Sequence, residues 1–162
     1  KGEGVAMNNL GMYLLFGQGC PVDKQGAATL FIMAAEKGRV LGMLNYAHMC
    51  YIGDGIPVDK AEAERYYKMA VDSGEINMIY KFGKLFYKGE EYQMDKRHAA
   101  RYFKMAADNG CEKAMLKLSK MLMTGDGIPQ NDREGTKYLR MAIARNLRPE
   151  AMLALLLARG HL

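Results

Sequence analysis

The residues that could do chemistry in this chain are few and scattered. His48, His98 and His161 are its three histidines, and no two stand at i, i+4, the spacing that lets one helix face grip a metal ion. Cys20, Cys50 and Cys111 are odd in number, far apart and without a Cys-x-x-Cys pair, which argues against a disulfide framework or zinc site and for a reduced compartment. Gly53-Asp54-Gly55 and Gly125-Asp126-Gly127 look like pieces of phosphate or calcium loops. Neither has a P-loop Gly-Lys-Ser/Thr or spaced carboxylates closing on a Glu, so both read as turn glycines. No Ser-x-x-Lys, paired acid or Cys–His arrangement supports covalent or acid–base catalysis. No cofactor or metal is expected. What is left is a set of lysines interleaved with tyrosines in the second half of the chain, a combination suited to holding an acidic segment of another molecule.

The elements that must position these residues repeat. Gly38, Gly74 and Gly110 are separated by 36 residues, and so are Gly17, Gly53, Gly89 and Gly125. Met33, Met69, Met105 and Met141 keep the interval, as do Ala34, Ala70, Ala106 and Ala142. Asp23, Asp59 and Asp95 keep it too, with Asn131 fourth. A fixed period of this length is the signature of a stacked repeat architecture. In the second repeat, Leu41, Leu44, Ala47 and Tyr51 follow helical spacing; Gly53-Asp54-Gly55 and Pro57 end that helix; Asp59 caps a second one, which runs through Ala63, Tyr66, Tyr67, Ala70 and Val71 to Gly74. The third repeat has Glu91 where the second turn glycine belongs, which predicts a different local geometry. Gly11, Ala47, Gly83 and Ser119 share one position and Ala27, Ala63, Ala99 and Gly135 another; small side chains there let helices approach closely. Tyr13 and the pairs Leu30-Phe31, Tyr66-Tyr67, Tyr102-Phe103 and Tyr138-Leu139 are expected to fill the space between hairpins. The methionine ladder and Cys50, which shares a position with Leu14, Phe86 and Leu122, are expected in the core, with Cys20 exposed in a turn.

With 162 residues, 49% of them hydrophobic and 25% charged, the composition is that of a folded globular chain. No run reaches the ~18 apolar residues of a membrane-spanning helix, and residues 1–10 lack a secretory h-region. The net charge of +5 permits an acidic partner without requiring one.

Asn9-Leu10-Gly11-Met12-Tyr13, Gly17-Gln18-Gly19, Asp23 and Ala34-Ala35 to Gly38 resemble the Sel-1-like repeat, a relative of the tetratricopeptide repeat. Gly53 to Ile56, Tyr66-Tyr67 and Gly125 to Ile128 fit the same pattern. The resemblance implies an all-α, right-handed superhelical solenoid of antiparallel helix pairs, the first helices lining its concave face. It also implies scaffold or adaptor duty, with no catalytic residues to carry over. The repeats run over about 3–38, 39–74, 75–110 and 111–146, with a partial fifth over 147–162. Gly2 falls where a closing glycine of an earlier repeat belongs. Pro149 to Arg159 reads as a first helix bearing Leu153, Leu155, Leu156 and Leu157 with nothing to cover them. Solenoid ends need polar caps, so the phase predicts a segment of a longer array and allows end-to-end self-association of this one.

A concave groove would expose Val5, Asn8, Met12, Leu15 and Phe16, then Leu41, Leu44, His48, Tyr51 and Ile52, then Asn77, Tyr80, Lys84, Tyr87 and Lys88, and finally Lys113, Leu116, Lys120, Met123 and Thr124. Asn9, Asn45, Lys81 and Lys117 occupy one further repeat position. A carboxylate-gripping role for the asparagines would follow the tetratricopeptide clamps, but a bond to backbone between hairpins is the one expected. The candidate partner-binding residues are thus Met12, Phe16, Leu44, Asn45, His48, Tyr51, Tyr80, Lys81, Lys84, Tyr87, Lys88, Lys113, Leu116, Lys117 and Lys120. A solvated helix face is the plain alternative for the lysines. The function expected is a protein-interaction scaffold taking a protein or peptide, with no membrane partner. An RNA-binding helical repeat is the second reading, weakened because Asn9 and Asn45 interrupt the lysine track. A regulatory segment of a larger enzyme or signalling protein is the third. The cysteines point to the cytoplasm, while the family resemblance keeps the secretory lumen and bacterial envelope open.

Overall fold

The structure, a computed structural model, describes residues 2–89 and 92–145. The Glu91 departure, Asn146 and the fifth-repeat helix with its leucines lie outside the described residues. Those described form eight α-helices and no strand: α1 (Gly2–Phe16), α2 (Lys24–Glu36), α3 (Val40–Ile52), α4 (Lys60–Asp72), α5 (Ile76–Lys88), α6 (Lys96–Asp108), α7 (Glu112–Thr124) and α8 (Asp132–Ala144). α1 pairs with α2, α3 with α4 and α7 with α8 as antiparallel hairpins, and α2 packs on α3 as α6 packs on α7. No described helix is long and apolar enough to cross a membrane.

The cap residues explain why every second helix starts where it does. The side chains of Asp23, Asp59 and Asn131 accept from the amides of Gly26, Glu62 and Glu134 at 2.8, 2.9 and 3.0 Å, and Asp95 accepts from those of Arg97 and His98. Each such cap stabilises its helix by about 1 kcal/mol. The same four residues turn their own amides back to the preceding helix, donating to the carbonyls of Leu14, Cys50, Phe86 and Leu122 at 2.8–2.9 Å. One residue per repeat thus starts a helix and ties it to its hairpin partner. The first helices end on Gly17, Gly53, Gly89 and Gly125, all at φ between 67° and 76°, where a side chain would be strained.

Packing follows the small-residue ladders. Ala34, Ala70, Ala106 and Ala142 are completely buried. A Cβ at Gly11 would stand 2.7 Å from the Phe31 ring, and one at Gly83 would stand 3.0 Å from Phe103, so each glycine admits an aromatic ring from the second helix of its hairpin. Three expectations change. The methionine ladder is not core: Met33 is 39% exposed and Met69, Met105 and Met141 are half-buried, one residue away from the buried alanines. Tyr13 does not fill a hairpin gap; it is 49% exposed. Gly2 is the first residue of α1, not a turn glycine.

The chain divides into two compact units, Lys1–Ile79 and Tyr80–Leu162. In the first, α3 packs against α1, α2 and α4, and nine of its thirteen residues are buried. In the second, Tyr102, Phe103, Tyr138 and Leu139 fill the core. Tyr92 stacks on Phe86, ring centroids 4.4 Å apart.

Candidate protein-binding site

In the first unit the expected groove residues turn inward. Asn45 donates from Nδ2 to Oδ1 of Asn8 at 2.9 Å and lies 3.5 Å from the Met12 sulfur, with both asparagines at least 95% buried. The pair links α1 to α3, satisfying polar groups that water cannot reach. Leu44 is fully buried and His48 nearly so, and Asn8 and Leu15 join them in the interior. Leu44, Asn45 and His48 are therefore packing residues, because α3 has helices against three of its sides. Met12, Phe16 and Tyr51 are half-buried, and the Lys60 ammonium lies 5.7 Å from the Tyr51 ring centroid.

The second unit brings charges together instead. Lys117 on α7 holds its ammonium 3.4 Å from the centroid of the Tyr87 ring on α5. The Tyr87 hydroxyl donates to Oδ2 of Asp126 at 2.5 Å, and Lys96 donates to Oδ1 of the same carboxylate at 2.5 Å. A Cβ at Gly127 would lie 2.3 Å from that of Lys96, so the turn must be glycine there for the lysine to reach its partner. The first unit repeats the device: Lys24 pairs with Asp54, and a Cβ at Gly55 would lie 2.2 Å from Lys24. The Gly-Asp-Gly turns are thus inter-repeat staples. Sequence reasoning passed over Lys96 and Asp126, although Lys24, Lys60 and Lys96 recur at the repeat interval.

The ionisation of these groups reports their surroundings. The bonds from Lys96 and Tyr87 hold Asp126 below the usual carboxylate range, and Asp126 in turn raises Lys96 and Tyr87. Lys117 is pushed down, first by burial and then by repulsion from Lys120, with Lys96 and Lys84 adding and Asp126 opposing. The ammonium groups of Lys84, Lys96, Lys117 and Lys120 therefore share one neighbourhood with the Asp126 carboxylate. Lys84 is half-buried, while Lys81, Lys88, Lys113 and Lys120 are exposed. Leu116 is half-buried on the same helix as Lys117, and half-buried Tyr80 leans on Phe103 at 5.5 Å. Met123, expected in the groove, is buried. Among the described residues no group of three or more His, Cys, Asp or Glu side chains could hold a metal ion.

The Sel1 repeat pattern matches residues 4–38, 40–75, 78–111 and 112–147. The chain belongs to the Sel1 repeat family. Among solved structures it is similar to c5321, described as a protective antigen of uropathogenic Escherichia coli with an SLR fold. That likeness has 25% identity and a TM-score of 0.52, over 89% of this chain and 31% of the other. It is also similar to a Sel1 repeat protein from Oxalobacter formigenes, at 23% identity and a TM-score of 0.54, over 97% of this chain and 65% of that one. The chain thus spans under a third of the first relative's length and just under two thirds of the second's. No curated protein sequence matches it. The family and these neighbours make the fold an α/α repeat solenoid. Sel1 repeat proteins are in general protein-interaction scaffolds, typically non-enzymatic.

Proposed function

We propose that this chain is a protein-interaction scaffold whose α5/α7 face receives an acidic segment of a partner protein, anchored by an apolar side chain. The observation that carries this reading is Lys117, an ammonium partly withdrawn from water and repelled by Lys120, Lys96 and Lys84, with the Asp126 carboxylate opposing. Like-charge crowding of this kind is relieved by an incoming anion, and the field of the lysines steers such a partner before contact. Lys84 and Lys120 have no carboxylate partner among the described residues and stand ready to receive one. Lys81, Lys88 and Lys113 extend the positive face. Leu116, Tyr80 and the Tyr87 ring supply the apolar and aromatic surface that fixes an anchor.

The test is a peptide-display selection on the full chain, repeated with Lys84→Glu and Lys120→Glu together. Acidic, apolar-anchored peptides should be enriched, bind more weakly as salt rises, and vanish with the double reversal. Peptides that survive the reversal would move binding to another face. A folded chain that enriches nothing would be a spacer.

A further inference from the structure

The first unit holds a separate cleft, of about 440 Å³, bounded by α2, α3, α4 and the turn joining α3 to α4. Its size lies within the range of sites that take a small ligand or a few side chains. Ile32, Ile56 and Pro57 give it apolar walls, and Asp59 and Glu62 line it from the α4 side.

The second unit shows how the equivalent place is occupied when the sequence supplies a cation. Ile32 and Lys104 share one repeat position, and Glu62 and Glu134 share another. From α6, Lys104 crosses to α8, where its ammonium donates to the Tyr138 hydroxyl at 2.6 Å and pairs with Glu134 at 3.2 Å. Ile32 offers no such group. Glu62 instead pairs along its own helix with Arg65, at 2.6 and 2.8 Å, and Arg65 is exposed and forms no part of the cleft lining. The charged side chains that line the cleft are thus two carboxylates, Asp59 and Glu62, with no lysine or arginine in its walls. Burial raises the Tyr46 phenol and the Cys50 thiol that line it; the Glu62 carboxylate pushes both further, and Asp59 adds to the effect on Cys50.

We propose that this cleft binds a segment of a partner protein in which a lysine or arginine adjoins an aliphatic residue. The aliphatic side chain lies against Ile32, Ile56 and Pro57. The cation stands opposite Glu62 and Asp59, as Lys104 stands opposite Glu134. The site is independent of the lysine-rich α5/α7 face, takes a ligand of the opposite charge, and stands or falls separately.

The experiment is a methyl-NMR titration of the full chain, labelled at isoleucine, with the capped peptide Gly-Leu-Lys-Leu-Arg-Gly. A control peptide carries glutamate at both basic positions. The basic peptide should shift the Ile32 and Ile56 methyl signals saturably, and the acidic one should not. Ile32→Lys, which supplies the cation from within, should weaken binding at least tenfold; Glu62→Gln, which keeps the shape, should weaken it severalfold. If Ile32→Lys does not fold, Glu62→Gln decides. Equal response to both peptides, no response at Ile32 and Ile56, or unchanged binding in the folded variants would overturn the proposal. So would concentration-dependent shifts of these methyls without peptide, which would assign the cleft to a second copy of the chain.

Discussion

Asn45 in the first unit and Lys117 in the second hold the same repeat position, and their surroundings have diverged accordingly. Around Asn45 stand Asn8 and Met12; the corresponding residues before Lys117 are Tyr80 and Lys84. A neutral amide can be taken fully out of water when one good partner is supplied, and Asn8 supplies it. An ammonium cannot, and Lys117 keeps contact with solvent on one side and an aromatic ring on the other. One position thus closes a helix pair in the first unit and leaves a charged face open in the second. The repeat fixes where a side chain stands; its type decides whether that place becomes core or surface.

The sharpest way to break the contrast is to carry the second unit's choice into the first. Asn45→Lys buries a cation beside Asn8 and Met12 and should cost about 3 kcal/mol or more, read as a lower urea midpoint or failure to fold. Asn45→Ala leaves Oδ1 of Asn8 without this donor and should cost about 2 kcal/mol in the same assay. Next comes the difference in tightness at the two helix-crossing glycines. Gly11→Ala meets the Phe31 ring at 2.7 Å and should destabilise by about 1–2 kcal/mol. Gly83→Ala meets Phe103 at 3.0 Å and should come out near zero, since alanine regains about 1 kcal/mol of helix preference.

The smaller effects are pH-dependent. Asp126 is held below its ordinary 3.8, so its contribution is full above that value and disappears as pH falls through the lower folded one. Asp126→Asn should flatten that part of the acid limb in thermal melts. Lys117 is depressed from 10.5, so the unfolded chain binds more protons there and stability should rise as pH climbs from the depressed value toward 10.5. Lys117→Ala should remove that rise while changing stability at neutral pH by no more than about 0.5 kcal/mol.

Much of this was legible in the sequence because the repeat prints each structural requirement several times. Turn glycines, capping aspartates and buried alanines each answer a local constraint, a left-handed backbone or an unpaired amide, that residue type alone reveals. The groove was less legible because helical spacing gives a face but not what covers it. Leu44 and His48 satisfy the spacing of an exposed stripe and are buried because α3 is enclosed by neighbouring helices. Met33 failed in the opposite direction, next to a buried alanine but turned toward solvent. The lysine cluster was visible as composition. The place of Asp126 within it was not, because Asp126 lies in a turn that glycine alone seemed to explain.

That turn also bears on how such arrays grow. The lysine of each staple belongs to one repeat and its aspartate to the next, 30 residues later. When a repeat that supplies one half of a staple is duplicated or transplanted, that half loses its counterpart unless the new neighbour supplies it. Recombination that keeps Lys24 and Asp54, or Lys96 and Asp126, on adjacent repeats preserves the bond. A junction that sets either against an unlike neighbour leaves a charge without its counterpart at the seam.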